Sequence, residues 1–168
     1  MNLYVTRHCE AAPLGGAVQR DADRPLTAGG EDDARLIAGA LAALEGSFGL
    51  ILSSPLERAL QTSKIIASLL PGTPPVTTSG NLAPGFRPKT LLAELAQASS
   101  VKGVIIVGHQ PDLGELIALL VADGSSAGIV FPPGAAAKIT FDPAPGGHES
   151  GLHWLLTPET VRRLKEKA

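Results

Sequence analysis

Four side chains that could carry out chemistry stand just beyond short apolar runs of the sequence. They follow three different runs and are separated by long stretches of chain: Arg7, His8, Arg58 and His109. In open α/β sheets, ligands bind beyond the carboxyl ends of the parallel strands. If the three runs are neighbouring strands, the four side chains converge on one edge of the sheet.

The residue types in this set suit phosphoryl chemistry. Two guanidiniums can hold phosphate oxygens through bidentate hydrogen bonds, and an imidazole nitrogen can attack phosphorus as a nucleophile. The second histidine, if protonated, would add positive charge against the developing oxyanion. A metal site is disfavoured because arginines repel a cation and no trio of Asp, Glu and His completes a coordination shell. We therefore expect neither a metal nor a cofactor.

Arg58 falls in the first turn of a helix predicted in "SPLERALQTSKIIASLLPG". Ser54 suits the N-cap, Pro55 the first helical position, and Glu57 a capping box. A cation in the first turn opposes the helix dipole at a cost of about 0.3–1 kcal/mol, and a bound anion would reverse the sign. The alternative is an Arg58 that reaches water or pairs with Glu57 or Glu31.

The elements that must position these side chains begin with three predicted strands. Leu3–Thr6, Leu50–Leu52 and Val104–Val107 contain almost only apolar or β-branched residues. Such runs are typical of central parallel strands that helices cover on both faces. Two later stretches, "GAAAKITFD" and "GLHWLL", predict further strands joined by the turn-rich "PAPGGHES".

Predicted helices alternate with these strands. In "GGEDDARLIAGALAALEG", Ile37, Leu41 and Leu44 share one stripe. Further helices are expected in "RPKTLLAELAQASS", in "PDLGELIALLVADG" as far as about Gly124, and in "TPETVRRLKEKA", which Thr157 would cap. The alternation predicts an α/β fold, a three-layer sandwich with a mostly parallel central sheet flanked by helices.

Length and composition fit one ordinary globular domain over residues 1–168. The net charge of −2 argues against a nucleic-acid binder. A single cysteine excludes an internal disulfide and suits a reducing compartment. The N-terminal apolar run is too short for a signal peptide and has no basic residues before it, and no apolar stretch is long enough to span a bilayer. We expect a cytoplasmic protein, monomeric, that binds neither nucleic acid nor membranes.

Four blocks of the sequence resemble the signature blocks of the histidine phosphatase superfamily in order and spacing. They are "TRHCEA", "RPLTAGG", "SSPLERALQT" and "VGHQP". The short chain and the ending "GLHWLLTPE" resemble the small SixA-type phosphohistidine phosphatases. The resemblance implies a phosphoglycerate-mutase-like fold without a large cap insertion, and a phosphatase of signal transduction. Its substrate would be a phosphohistidine-bearing protein.

The same resemblance implies roles for the four residues. His8 would be the phosphorylated nucleophile, and the phosphate pocket would be formed by Arg7, Arg58 and His109. A neutral His8 must keep its second nitrogen as a donor, for which a backbone carbonyl is the expected partner.

Cys9 departs from the family pattern, in which glycine usually follows the histidine. If the position needs an unusual backbone angle, a Cβ costs about 1 kcal/mol; if it needs only space, cysteine fits as a small inert side chain. A second hypothesis is a thiol sensor, in which flanking cations lower the Cys9 pKa and mild peroxide inhibits the protein reversibly.

The general acid is not identified by the sequence. Larger relatives supply a carboxylate after the second helix, but "TTSGNLAPGF" has none. It lies within "TPPVTTSGNLAPGFRP", which predicts a Pro/Gly-rich surface loop near the site. The candidates are Glu10, Asp21 and Asp23, the last two on a mobile loop, unless all are solvated charges. Imidazole leaves more readily than an alkoxide, so cleavage of a P–N bond needs less acid catalysis. A shallow, capless pocket would also admit phosphohistidine on a protein surface.

Two other functions stay open. One is a phosphomonoesterase for a small phosphorylated substrate, such as a sugar or nucleotide phosphate. The other is a phosphoprotein-binding module with little turnover, made possible by Cys9 and the missing acid. The presence of both arginines and both histidines argues against the module, because a pure binder needs no nucleophile.

Overall fold

Six strands form the sheet at the centre of this computed structural model, which describes residues 1–122, 128–142 and 150–167. The strands are β1 (Asn2–Arg7), β2 (Leu50–Ser53), β3 (Val76–Thr78), β4 (Val104–Gly108), β5 (Ala136–Phe141) and β6 (Ser150–Leu156). Their order across the sheet is β3-β2-β4-β1-β5-β6. The first four are mutually parallel, β5 is antiparallel to β1, and β6 is antiparallel to β5. The mostly parallel sheet is thereby confirmed.

Five helices cover the two faces of this sheet. They are α1 (Ala28–Leu44), α2 (Glu57–Leu69), α3 (Pro88–Gln97), α4 (Asp112–Val121) and α5 (Pro158–Lys165). Helices α1, α2 and α5 pack on one face, and α3 and α4 pack on the other. The three-layer sandwich is confirmed, and the described residues contain no inserted cap domain. Among the helices of this described part, none is long and apolar enough to cross a membrane.

Strand β1 shows why the central runs are apolar along their whole length. Leu3 and Val5 lie in the core beneath α3 and α4, whereas Tyr4 lies in the core beneath α1 and α2. All three are at most 1% exposed. Successive side chains of a strand point to opposite faces, so a strand covered on both faces needs apolar residues at every position.

Helix α2 begins later than its sequence predicts. Its N-cap is Leu56, which makes no side-chain capping hydrogen bond, so Ser54 and Pro55 precede the helix. The reason is that the Ser54 hydroxyl lies 2.7 Å from Nε2 of His109. Arg58 remains in the first turn, as predicted.

Three further predictions meet different outcomes. Leu44 is 53% exposed because it ends α1, beyond the last buried residue of that helix. The Pro/Gly-rich loop contains β3 and a 3-10 turn at Gly80–Leu82. The cap of α5 is confirmed, since the Thr157 hydroxyl accepts from the backbone nitrogen of Thr160. The expected end of α4 near Gly124 and the turn-rich "PAPGGHE" lie outside the described residues.

Candidate active site

The carboxyl ends of β1, β2 and β4 are tied together at one edge of the sheet. Arg7 is in register with Gly108, and the backbone nitrogen of His8 donates to the Gly108 carbonyl at 3.0 Å. The backbone nitrogen of Ser54 donates to the Val107 carbonyl at 2.9 Å. The residues that follow the three strands therefore start from fixed positions side by side.

Arg58 lies between the two histidines of this edge. Its side chain is buried, with the residue 5% exposed. Its Nε donates to Nε2 of His8 at 3.2 Å, and its Nη2 lies 3.5 Å from Nδ1 of His109. The two imidazole rings are 4.9 Å apart between centroids. Residues from positions 8, 58 and 109 are thus brought into one cluster.

The proton on His8 is placed by a hydrogen bond to the backbone. Nδ1 lies 2.7 Å from the carbonyl oxygen of Cys9. A carbonyl can only accept, so Nδ1 carries the proton and Nε2 keeps its lone pair. Burial lowers the pKa of His8 to about 4, and the positive charges of Arg58 and Arg7 add to this effect. His8 is therefore neutral at pH 7, and the electron pair on its Nε2 accepts the hydrogen bond from Arg58.

His109 is also a neutral, buried ring. It is 3% exposed, and burial lowers its pKa to about 3, with His8 and Arg58 contributing. Its Nε2 lies 2.7 Å from the hydroxyl of Ser54. The second histidine is therefore uncharged at pH 7, which differs from the protonated form expected from the sequence.

Arg7 keeps donor capacity that the protein does not use. Its Nη1 donates to the carbonyl of Phe131 at 2.9 Å, whereas its buried Nε has no partner in the described part of the chain. No ion pair within that part involves Arg7. Its charge contributes to the low pKa of both histidines. A guanidinium without a carboxylate partner remains available to an anion.

Asp21 is the one candidate acid that contacts Arg58. Its Oδ2 accepts from Nη2 of Arg58 at 3.0 Å, and its backbone carbonyl accepts from Nη1 at 2.8 Å. Its Oδ1 accepts from Arg24 at 3.0 Å. Hydrogen bonds from Arg24 and Arg58 hold the pKa of Asp21 below its usual range. Asp21 is thus an ionised partner of Arg58 rather than a poised proton donor.

The other two candidate acids are engaged away from the histidines. Asp23 forms an exposed ion pair with Arg20 at 2.7 Å. Glu10 accepts from the Thr27 hydroxyl at 2.9 Å. Neither carboxylate makes a hydrogen bond or ion pair with the Arg58 cluster in the described residues. Across those same residues, no group of three or more His, Cys, Asp or Glu is arranged to hold a metal ion.

Arg24 belongs to the electrostatics of the site, although the sequence argument used it only to mark a loop. Its charge contributes to the lowered pKa of His8. Its Nε donates to the carbonyl of Ala12 at 2.6 Å, and the following Pro25 restricts the backbone. The "RPLT" block is the feature that could have identified it.

Thr62 is a second residue that the sequence argument missed. Its buried hydroxyl donates to the Arg58 carbonyl at 2.7 Å and accepts from the Cys9 backbone nitrogen at 3.1 Å. The hydroxyl therefore couples helix α2 to the residue whose carbonyl orients His8. The sequence feature that could have identified Thr62 is the threonine four residues after the arginine in "RALQT".

The block "RPLTAGG" holds the start of α1 against helix α2 and against the segment that follows His8. Thr27 caps α1 by accepting from the Gly30 nitrogen at 3.0 Å, and the Leu26 nitrogen donates to the side chain of Gln61 at 2.7 Å. A Cβ on Gly30 would lie 2.1 Å from the Glu10 carbonyl oxygen. Only glycine allows the helix to approach this closely.

Cys9 is an inert core residue. It is 1% exposed and packs with Leu26 and Ala34. Burial raises its pKa to about 12, and Asp33 adds to the rise. The lowered pKa that the thiol-sensor hypothesis requires is therefore wrong, because burial and the Asp33 carboxylate both raise the pKa of Cys9. Thr73 is the only residue other than glycine with a positive φ in the described chain. The position of Cys9 thus requires space and not an unusual backbone angle.

Comparison with known proteins gives the same family as the four sequence blocks. Residues 3–83 match the model of the histidine phosphatase superfamily (branch 1). An uncharacterized protein of Picosynechococcus is 43% identical over 117 residues, which cover 68% of this chain and 70% of the relative. The phosphohistidine phosphatase SixA of Escherichia coli is 29% identical over 171 residues, covering 98% and 99% of the two chains.

A solved structure extends the likeness to the fold. The protein histidine phosphatase SixA complexed with tungstate superimposes with a TM-score of 0.83 at 28% identity, over 96% of this chain and 99% of that one. The chain belongs to the histidine phosphatase superfamily and is a homologue of SixA. It is accordingly a phosphatase.

Proposed function

We propose that this phosphatase removes the phosphoryl group from phosphohistidine on a protein, without a metal, by way of a phosphorylated His8. The observation that carries the proposal is the state of His8. Its Nδ1 proton is held by the Cys9 carbonyl, and its Nε2 lone pair is directed at the Arg58 guanidinium, 3.2 Å away. A neutral imidazole whose lone pair faces a phosphate-binding cation is a competent nucleophile once the guanidinium donates to the phosphate instead.

In the first step, Arg7, Arg58 and His109 bind the phosphoryl oxygens, and Nε2 of His8 attacks phosphorus. A bond forms between phosphorus and Nε2, and the bond to the substrate's imidazole nitrogen breaks with its electron pair staying on that nitrogen. His8 gains positive charge as the new bond forms. The Cys9 carbonyl, which accepts from Nδ1, stabilises this charge.

In the second step, water attacks the phosphoryl group on His8. A P–O bond forms, the P–Nε2 bond breaks, and its electron pair returns to Nε2. One proton of the water passes to bulk solvent, and inorganic phosphate leaves. The guanidiniums stabilise the charge of the equatorial oxygens in both steps.

The carboxylates around the site support a P–N substrate. Asp21 is held ionised by Arg24 and Arg58, and neither Glu10 nor Asp23 contacts the histidines in the described residues. A phosphate monoester needs a proton donor because its leaving group is an alkoxide. A phosphohistidine that is protonated on its other ring nitrogen releases a neutral imidazole and needs no such donor. The likeness to SixA along nearly the whole chain supports the same substrate class.

The test compares three substrates on the parent, on His8→Ala and on His153→Ala. His153 is an exposed histidine of β6 that pairs with Thr140, so it controls for loss of a histidine elsewhere. We expect the parent and His153→Ala to hydrolyse a phosphohistidine peptide faster than a sugar phosphate or an aryl phosphate, with or without chelator. His8→Ala should lose about 10³-fold or more in rate.

Each alternative has its own outcome in this experiment. Turnover that persists in His8→Ala would refute the nucleophile. A sugar phosphate hydrolysed fastest would indicate a small-molecule phosphomonoesterase, and binding of the peptide without turnover would indicate a binding module.

A further inference from the structure

We infer that Ser54 is a positioning residue that bonds Nε2 of His109 in either tautomer, and that its hydroxyl changes from acceptor to donor when phosphate binds and the ring proton moves to Nδ1. Nothing in the sequence blocks assigns it this role, since the sequence predicts Ser54 as a helix cap. The inference rests on the proposed function, because it takes His109 as a ligand of the phosphoryl group.

Ser54 is held rigidly next to His109. It is fully buried, and its backbone nitrogen donates to the Val107 carbonyl, two residues before His109. Its Oγ lies 2.7 Å from Nε2 of His109 and accepts from the Leu56 nitrogen at 3.4 Å. The short distance between hydroxyl and ring nitrogen is thus set by the parallel pairing of β2 with β4.

The contact with Arg58 favours one tautomer of His109. A guanidinium has donors and no acceptor, and Nη2 of Arg58 lies 3.5 Å from Nδ1 of His109. Nδ1 therefore presents its lone pair, and the proton is on Nε2. The Ser54 hydroxyl accepts that proton in a hydrogen bond.

A phosphoryl oxygen bound to Arg58 demands the opposite arrangement. The oxygen is an acceptor, so Nδ1 must donate to it. A hydroxyl can donate as well as accept, so Ser54 can turn its own proton toward Nε2 while the ring proton moves to Nδ1. The ring then donates to phosphate and stays neutral. This avoids charging a buried ring whose pKa is lowered to about 3.

The first test removes the hydroxyl with Ser54→Ala. Ser63→Ala is the matched control, since Ser63 is equally buried and, among the described residues, its hydroxyl bonds only the Ala59 carbonyl of its own helix. We expect Ser54→Ala to lower kcat/KM for the phosphohistidine peptide about tenfold, and Ser63→Ala to stay within about twofold of the parent. Equal effects of the two substitutions would overturn the inference.

The second test asks whether Ser54 acts through His109. In a His109→Ala background, Ser54→Ala should cause no further loss, because the ring that it positions is absent. A full additional loss in that background would show a structural role and overturn the inference. Ser54→Thr, which retains the hydroxyl, should recover activity relative to Ser54→Ala.

The third test observes the proton directly by ¹⁵N NMR of the imidazole rings. Addition of inorganic phosphate to the parent should move the His109 proton from Nε2 to Nδ1, and Ser54→Ala should weaken the shift. A proton that stays on Nε2 with phosphate bound would refute the switch. This measurement needs no turnover, so it separates failure of the inference from failure of the proposed reaction.

Discussion

Two polar clusters lie on the same sheet and differ in how their charges balance. The Glu45 cluster consists of Tyr4, Glu45, Lys138 and Trp154. The Glu45 carboxylate accepts from the Tyr4 hydroxyl at 2.8 Å, from the Lys138 ammonium at 2.8 and 2.9 Å, and from the Trp154 indole at 3.3 Å. The charges of the carboxylate and the ammonium cancel, and all three donor side chains bond to the Glu45 carboxylate.

The Arg58 cluster does not reach that balance; it consists of Arg7, His8, Asp21, Arg24, Arg58 and His109. Three guanidiniums surround two neutral histidines, and Asp21 is the single carboxylate that contacts them in the described residues. Arg7 has a buried Nε without a partner. Uncompensated buried charge costs folding free energy, and it persists where a ligand supplies the missing countercharge. The difference separates a cluster that stabilises the fold from one that binds a phosphate dianion.

The largest effect is expected from a substitution of Arg58 itself. Arg58→Met should lower kcat/KM by about 10²–10³-fold, because a principal donor to the transition-state oxygens is lost. The free energy of unfolding should change by less than about 1 kcal/mol, because Asp21 is half-exposed and keeps Arg24. Steady-state kinetics and urea unfolding on the same preparation measure both. A loss of stability that accounts for the loss of activity would contradict the comparison.

The second prediction concerns a substitution in the Glu45 cluster, which should lower stability and leave activity unchanged. Lys138→Met should lower the free energy of unfolding by about 2 kcal/mol, since Glu45 is left without its countercharge in a largely buried place. Activity per folded molecule should not change. Adding Glu45→Gln removes the unpaired charge and should restore more than half of the lost stability in urea unfolding. No recovery in the double variant would show that the ion pair is not the cause.

The smallest effect is a pH dependence that comes from the histidines of the Arg58 cluster. Folding lowers the pKa of His8 to about 4 and of His109 to about 3, so the unfolded chain takes up protons below about pH 6.5 and the folded chain does not. The stability that the two neutral histidines contribute is present above that pH and is lost as the pH falls toward 4. The free energy of unfolding should fall by about 1 kcal/mol from pH 7 to pH 6.

Urea unfolding at the two pH values checks this, with His109→Asn as the control. The variant lacks one of the two titrating rings, so its fall should be about half that of the parent. An equal fall in parent and variant would assign the dependence to other groups.

The central strands could be predicted from the sequence, and so could the place of Arg7 and His8 at the end of the first strand, because both depend on a local pattern of residues. The start of α2 could not, because Ser54 satisfies the capping rules yet bonds His109, a partner 55 positions away. Asp21 likewise could be named as a candidate acid but not as the ionised partner of Arg58, since that pairing arises from loop packing. Local sequence rules consider only neighbouring residues and cannot predict contacts with residues far away in the chain.

The sequence by itself determined which chemistry the site can support. Apolar runs set the strands, and the residues placed after them set two cations and two imidazoles at one sheet edge. Only the tertiary structure decided their state: which nitrogen of each histidine is protonated, which arginine lacks a carboxylate, and that Cys9 is inert. Protonation and hydrogen bonding depend on burial and on directional contacts over a few ångströms. Those contacts join residues that are far apart in the chain, so they exist only once the layers have packed.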